Sequence, residues 1–260
     1  MIKYIAGMFD ADGSVFLKWW KEKDWYRFTL QIEFSQQIGK RDWILDEIRD
    51  CFGFGIIREK EIKNKYKAKT LTFTGNEALR VAEQIHKYCV IKGDYVRYLI
   101  DVYKNLRGRY TKEQKNKLEV SRKIKRKEQN TKKYNYPSKQ WLAGYIDGDG
   151  SLHARWDKFR ERTQFFLRID AADWDVEGIM LIHKVFGGRV GKRKNTNVVT
   201  YSKYLGKEHI EKILKPLAKH CKLKNKQAER IIYWLRRVNG KLPRDAYKDI
   251  SQLNAPATTE

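Results

Sequence analysis

The chain is poor in the residues that build covalent or metal-bonded scaffolds. Its 260 residues include three cysteines, Cys51, Cys89 and Cys221. The number is odd and no Cys-x-x-Cys pair occurs, which argues against a disulfide framework or a zinc site. The histidines, His86, His153, His183, His209 and His220, show no ligand spacing, and the adjacent His220-Cys221 reads as packing. No apolar run reaches the ~18–20 residues that a membrane span needs. Asp10 follows the N-terminus too soon for a secretory signal. A soluble, intracellular protein is expected. Acidic residues are also scarce: 32 Asp and Glu face 56 Lys and Arg, a formal net charge of +24. Such an excess makes a compact chain repel itself and normally serves a polyanionic partner. Nucleic acid is the leading candidate. An anionic membrane surface would call for a basic amphipathic helix or a lipid signal, and none stands out.

What is present is a repeat. Residues 4–15 read Tyr-Ile-Ala-Gly-Met-Phe-Asp-Ala-Asp-Gly-Ser-Val, and residues 141–152 read Trp-Leu-Ala-Gly-Tyr-Ile-Asp-Gly-Asp-Gly-Ser-Leu. Further matches follow in the same order: Cys51-Phe52-Gly53 with Val185-Phe186-Gly187, and Tyr88–Lys92 with His220–Lys224. The chain is two copies of one unit of roughly a hundred residues. The hydrophobic share of 41% is enough for two cores.

Each copy alternates helix and strand signals. Phe28, Leu30, Ile32 and Phe34 alternate with Arg27, Thr29, Gln31 and Glu33, which predicts a strand with one apolar and one polar face. Phe165, Leu167 and Ile169 do the same in the second copy. Helical spacing occupies 42–51, 76–88, 177–186 and 207–220, and 69–74 and 197–202 read as strands. The predicted order in each copy is helix, two strands, helix, two strands, helix. The first copy covers 1–104 and the second 141–243. A basic, partly helical linker spans 105–140, with a capping box at Thr111-x-x-Gln114 and a break at Asn135-Tyr-Pro-Ser. A loosely ordered tail is expected over 244–260.

The repeated motif carries the chemistry. Gly7 and Ala11, like Gly144 and Gly148, lie four apart on one helical face. Glycine inside a helix costs about 1 kcal/mol against alanine, so the repeated small residues suggest a close approach of two helix backbones. The expected domain interface comprises Ala6, Gly7, Ala143 and Gly144. Both helices end in Asp-x-Asp-Gly, where the helix dipole disfavours carboxylates. If the helices pair, Asp12 and Asp149 come close, and divalent cations would offset their repulsion. Asp-x-Asp-Gly alone is also ordinary turn chemistry; its repetition in register within a strongly basic chain favours the metal reading. Gly13 and Gly150 supply the turn from helix into strand.

Ile5–Gly13 and Leu142–Gly150 resemble the LAGLIDADG motif of homing endonucleases, the second departing from it at Tyr145 and Gly148. The resemblance spans roughly 2–240. It implies an α+β fold of two pseudo-twofold-related αββαββα domains with saddle-shaped antiparallel sheets over DNA. It implies that Asp12 and Asp149 hold Mg²⁺ or Mn²⁺, with the carbonyls of Ala11 and Gly148 as ligands, while Asp10 and Asp147 cap or bond at the helix interface. Ca²⁺ is expected to permit binding with little cleavage. Lys92 and Lys224 resemble the family's active-site lysine, which would polarise the attacking water or stabilise charge on the phosphate. Gln36 resembles its strand-end glutamine, with Lys40 or Arg41 as the basic neighbour. The second copy departs here: Ile169-Asp170-Ala171 offers no glutamine and Trp174-Asp175 no base.

The implied activity is metal-assisted hydrolysis of one phosphodiester on each strand of a long, asymmetric double-stranded DNA target, by a monomer. The polar strand faces would read base edges: Lys18, Arg27, Gln31 and Glu33 in the first copy, and His153, Arg155, Gln164, Arg168, Arg189 and Arg193 in the second. Two alternatives stay open on the sequence. One is an intron maturase that binds intron RNA, with or without cleavage; the other is a non-catalytic DNA-binding regulator.

Overall fold

The protein is described by a computed structural model, which covers all residues except 40, 63–65, 107, 128–136, 173–175, 195 and 255–260. It divides into two compact units, Met1–Asn135 and Tyr136–Glu260.

The first unit opens with the motif helix α1 (Ile2–Asp12), followed by β1 (Ser14–Glu22), β2 (Trp25–Gln37), α2 (Trp43–Phe52), β3 (Ile56–Ile62), β4 (Tyr66–Thr74), α3 (Asn76–Ile85) and α4 (Gly93–Asn105). The strands form one antiparallel sheet in the order β1-β2-β4-β3. Alternation sorts its faces: Leu17, Leu30, Ile32, Phe34, Leu71 and Phe73 are buried on one side. Lys18, Thr29, Gln31, Glu33 and Thr72 fall on the other, with Lys18 opposite Thr29 and Glu33 opposite Thr72. The helices cover the apolar face, packing Ile5, Phe9, Ile44, Ile48, Val81 and Leu99 into the core.

The described part of the basic segment after α4 is docked through Tyr110 and the helix that follows it. Tyr110 exchanges two backbone hydrogen bonds of 2.8 Å with Tyr26. The reciprocal capping bonds between Thr111 and Gln114 then open α5 (Lys112–Lys127). Its Glu119 accepts a 2.7 Å bond from the Trp19 indole, and Ser121 pairs with the Tyr98 hydroxyl. Asn135 and Tyr136, where the sequence predicts a break, lie outside the described residues.

The second unit repeats the plan: α6 (Lys139–Asp149), β5 (Gly150–Asp157), β6 (Arg162–Ala172), α7 (Glu177–Phe186), β7 (Arg189–Lys192), β8 (Val198–Leu205), α8 (Lys215–His220), α9 (Asn225–Arg237) and α10 (Arg244–Asn254). Its sheet order, β5-β6-β8-β7, matches the first. Both units carry a helix beyond the expected pattern, α4 or α9. The helical stretch expected over 207–220 is broken into a 3₁₀ turn, a π-type turn at Ile210–Leu214 and α8. Pro216 explains the break, since it donates no N–H to the preceding turn.

The tail differs most from expectation. Residues 244–254 form α10, which packs on β5 and buries Ala246 and Ile250. The Asn254 side chain donates to the Leu152 carbonyl at 2.9 Å, and Asp249 accepts from the Trp234 indole at 2.7 Å. An i, i+4 apolar pair on a mostly polar segment is a weak sequence signal, but here it finds a strand to cover.

Candidate active site and nucleic-acid interface

In each unit the two acids of the motif have opposite environments. Asp10 is buried, and its carboxylate accepts backbone N–H bonds from Val90, Ile91 and Lys92 at 2.6, 3.1 and 2.8 Å. These are the amides that lead into α4, so the carboxylate sits where a helix start favours an anion. Asp147 does the same in the second unit, accepting from Lys222 at 2.7 Å and Leu223 at 3.0 Å ahead of α9. Both acids thus cap the segment that opens α4 or α9 and tie the motif helix to it, in keeping with the capping role expected of them. Asp12 is exposed, two residues before β1 begins, and Asp149 is half-buried, one residue before β5.

The two lysines flank these acids. The Lys92 ammonium donates to the carbonyls of Phe9, Ala11 and Gly13 at 2.9, 3.3 and 2.8 Å. All three of its protons meet the C-terminal end of α1, where carbonyls lack helical partners and negative partial charge accumulates. Lys224 is 3% exposed and donates to the Asp147 carbonyl at 2.5 Å, with the Asp147 carboxylate at 4.0 Å. The thiols of Cys89 and Cys221 point to the carbonyls of Ala6 and Ala143, at 3.9 and 3.7 Å. Burial pushes the Cys89 thiol well above the usual range. The repeated segment 88–92 and 220–224 therefore clasps the motif helix from Ala6 to Gly13 in one unit, and from Ala143 to Asp147 in the other. The repeat gave the sequence signal for this clasp, but the pairing with Asp10 and Asp147 carried none.

Gly13 and Gly150 are needed for space rather than for a left-handed turn. Both have extended backbone conformations. A Cβ on Gly13 would lie 2.3 Å from the Phe9 ring, and one on Gly150 would lie 2.8 Å from the Ile146 carbonyl oxygen. The strand leaves the helix so sharply that no side chain fits. Ala6, Gly7, Ala143 and Gly144 are buried in their helices.

Gln36, next to last in β2, lies on the helix-covered side and donates to Asp12 at 3.5 Å. Its register equivalent is Ala171, because Ser14 pairs with Glu33 where Ser151 pairs with Arg168. Arg41 lies half-buried in the turn before α2. Lys40 lies outside the described residues, as do Trp174 and Asp175.

The polar sheet faces carry most of the other expected contacts. In the first unit Lys18 is exposed, and Arg27 pairs with Glu22 at 2.8 Å. Gln31 is only 5% exposed and donates to Glu33 at 2.6 Å, so it is a buried support for Glu33 rather than a free reader. In the second unit a concavity of about 580 Å³ gathers His153, Arg155, Arg168, Arg189 and Arg193. Gln164 lies outside it, opposite Arg155 on the neighbouring strand. His153 stacks on Phe166 with ring centroids 5.5 Å apart. Burial, aided by the Arg168 charge and opposed by Asp170, holds its imidazole below the ordinary histidine range.

Oxygen donors prevail at both motif ends. Among the described residues no cluster of three or more His, Cys, Asp or Glu could hold a metal by itself. Each unit offers one carboxylate and nearby carbonyls. That set suits a hard cation that keeps several waters and takes phosphate oxygens, and it is unsuited to zinc.

The family model for LAGLIDADG endonuclease matches residues 5–101 and 142–236. Similar solved structures include the LAGLIDADG homing endonuclease I-GzeII in complex with its DNA target, at 18% identity and a TM-score of 0.72, covering 100% of this chain and 99% of that one. I-SmaMI bound to uncleaved DNA target in the presence of calcium ions is 16% identical, with a TM-score of 0.69 and 97% of each chain covered. I-AabMI bound to uncleaved DNA is 16% identical with a TM-score of 0.68, again covering 97% of each chain. At these identities the likeness establishes the fold. No curated protein matches the chain. No helix among the described residues is long and apolar enough to cross a membrane.

Proposed function

This chain belongs to the LAGLIDADG endonuclease family, and from that premise we propose that it is a site-specific homing endonuclease that acts as a monomer. It hydrolyses one phosphodiester on each strand of a long, asymmetric DNA target. The observation that carries this reading is the division of labour within each motif. Asp10 and Asp147 accept backbone amides, whereas Asp12 and Asp149 stand at the ends of the motif helices, where a carboxylate can take a cation.

Asp12 and Asp149, with the carbonyls of Ala11 and Gly148, would hold divalent ions. When bound, such an ion lowers the pKa of its water and offsets charge on the phosphate oxygens. The chain's own residues set the stage for that. Lys92 and Lys224 neutralise the helix ends beside the two carboxylates. They act as positioning residues, Lys92 on the Ala11 carbonyl and Lys224 on the Asp147 carbonyl one residue before Gly148, a different role from the water-polarising one that the resemblance implies. Gln36 holds Asp12 from the strand side. The arginines of the second sheet and Lys18 and Arg27 of the first bind phosphates and base edges. Mg²⁺ and Mn²⁺ should support cleavage, and Ca²⁺ should permit binding with little cleavage. The calcium-containing complex of I-SmaMI with uncleaved DNA supports this expectation. Nothing comparable supports the intron-RNA alternative or the non-catalytic regulator.

The test uses a randomised double-stranded oligonucleotide pool to find the target, followed by Asp12→Asn and Asp149→Asn. Either variant should lose double-strand cleavage while still shifting the target in a gel. A variant that cuts both strands at near the native rate would refute the assignment of these acids.

A further inference from the structure

The position equivalent to Ser35 holds an acid in the second unit. Ser35 lies opposite Thr70, and their hydroxyls pair at 3.0 Å, an uncharged contact. Asp170 lies opposite Thr200 in the same register. Its carboxylate accepts from the Thr200 hydroxyl at 2.6 Å, from Nε and Nη2 of Arg168 at 3.2 Å each, and from Nη2 of Arg193 at 2.8 Å. Three of these bonds fall on Oδ1 and one on Oδ2, so both oxygens of the carboxylate are engaged. Asp170, Arg168 and Arg193 nevertheless remain between a third and a half exposed, at 38%, 34% and 47%. The cluster therefore faces solvent on the polar side of the sheet, where Arg168 and Arg193 line the concavity.

The bonding leaves a defined remainder. Arg168 commits its Nε side and keeps the Nη1 end. Arg193 commits one Nη and keeps its other donors. Two guanidiniums share one carboxylate, so the group keeps a net positive charge and free planar donor edges. A free arginine end of this kind matches guanine O6 and N7 in the major groove, the commonest specific contact to a base. Holding the side chains in advance removes rotamer entropy that would otherwise be lost on binding. The register also places the cluster along the strand. Gly150 pairs with Ile169, and Ser151 with Arg168. The cluster thus sits at the end of β6 beside the strand start that Asp149 precedes.

We propose that Asp170 is a positioning residue for sequence specificity. It orients Arg168 and Arg193 to read guanines in the second half-site, at the base pairs nearest the phosphodiester served by Asp149. This inference rests on the DNA-cleaving reading above. It also makes the two half-sites differ in kind, because Ser35 and Thr70 bring no charge to the equivalent place.

The test profiles the full-length protein and Asp170→Asn on a randomised double-stranded oligonucleotide pool with Mg²⁺, sequencing the cleaved molecules. Thr200→Val serves as a second variant that keeps the charge and removes one anchor of the carboxylate. Arg168→Ala and Arg193→Ala identify the positions each arginine reads. The native enzyme should prefer guanine at those positions. Asp170→Asn should lower that preference by about tenfold, a loss of one well-made base contact, and Thr200→Val should lower it less. Preferences in the first half-site should stay as they are, which a general loss of folding would not produce. An unaltered guanine preference in Asp170→Asn would overturn the inference while leaving the endonuclease reading intact. A loss spread evenly over all sequences would also overturn it, since that is the signature of phosphate contacts. A native protein that cleaves no member of the pool would overturn the inference together with the reading beneath it.

Discussion

Replacing Asp10 by alanine should unfold the first unit far more readily, with an effect unrelated to catalysis. The carboxylate is 2% exposed and accepts three backbone N–H bonds, two of them shorter than 2.9 Å. Hydrogen bonds to charged groups contribute about 1.5–3 kcal/mol each, and a buried donor left unpaired costs about 1–3 kcal/mol. The three share one acceptor, so their effects do not add. A loss of roughly 3–5 kcal/mol follows by analogy with removing one partner of a buried pair. For a chain of this size each kcal/mol moves the melting temperature by about 2–4 °C, so Tm should fall by roughly 10 °C. Asp10→Asn keeps one accepting oxygen but turns an NH₂ toward donors, and should fall between alanine and the native residue. Asp12→Asn provides the contrast, because Asp12 is exposed and, among the described residues, bonds only Gln36, at 3.5 Å. It should stay within about 0.5 kcal/mol of native stability while losing cleavage. Urea denaturation and differential scanning calorimetry on the three variants give both numbers. Native stability in Asp10→Ala would refute the claim that this carboxylate holds α1 to the start of α4.

Three further outcomes are expected. Gly13→Ala should lower Tm by several degrees, since its Cβ would lie 2.3 Å from the Phe9 ring and overpacking costs ~1–3 kcal/mol; an unchanged Tm would show that the helix-to-strand corner has room to spare. His153 has a folded-state pKa held below its ordinary 6.5, so the fold prefers the neutral ring. Its contribution to stability is then complete above pH 6.5 and is lost as pH falls from there toward the folded pKa. The unfolding free energy of His153→Gln should accordingly vary less than the native value over that window, and parallel curves would contradict it. DNA affinity should fall steeply with salt, with a log–log slope of about −4 or steeper if the cationic side chains of the second-sheet concavity each displace a counterion; a slope near zero would mean that they touch no phosphate.

Sequence alone made the motif helices and the central strands legible, because a repeat and a period of two report on local geometry. Phe28 to Phe34 and Phe165 to Ile169 show their buried face without knowledge of any partner. Asp12 and Asp149, the acids proposed to hold cations, were legible by their place in the repeat. The roles of the lysines were harder to read. Lys92 could be placed near the motif, but its three carbonyl partners lie about 80 residues away in sequence, and no local pattern encodes such a contact. Gln31 alternates correctly for a reading face, yet its neighbours bury it and Glu33 engages it. Asp170 stood out only as a missing glutamine, since Arg193 and Thr200 reach it from elements 23 and 30 residues onward. The helix α10 escaped notice because Ala246 and Ile250 become a stripe only when β5 offers a surface.

The clasp around each motif helix bears on how such chains can be recombined. In the first unit, the hydrogen bonds described above that fix the end of α1 come from residues 6–13, 36 and 89–92. In the second, the fixing groups come from residues 143–147 and 221–224. Each half thus travels with its own fastening. A hybrid protein that grafts one half onto a foreign counterpart would carry that half's motif helix with its own fastening intact.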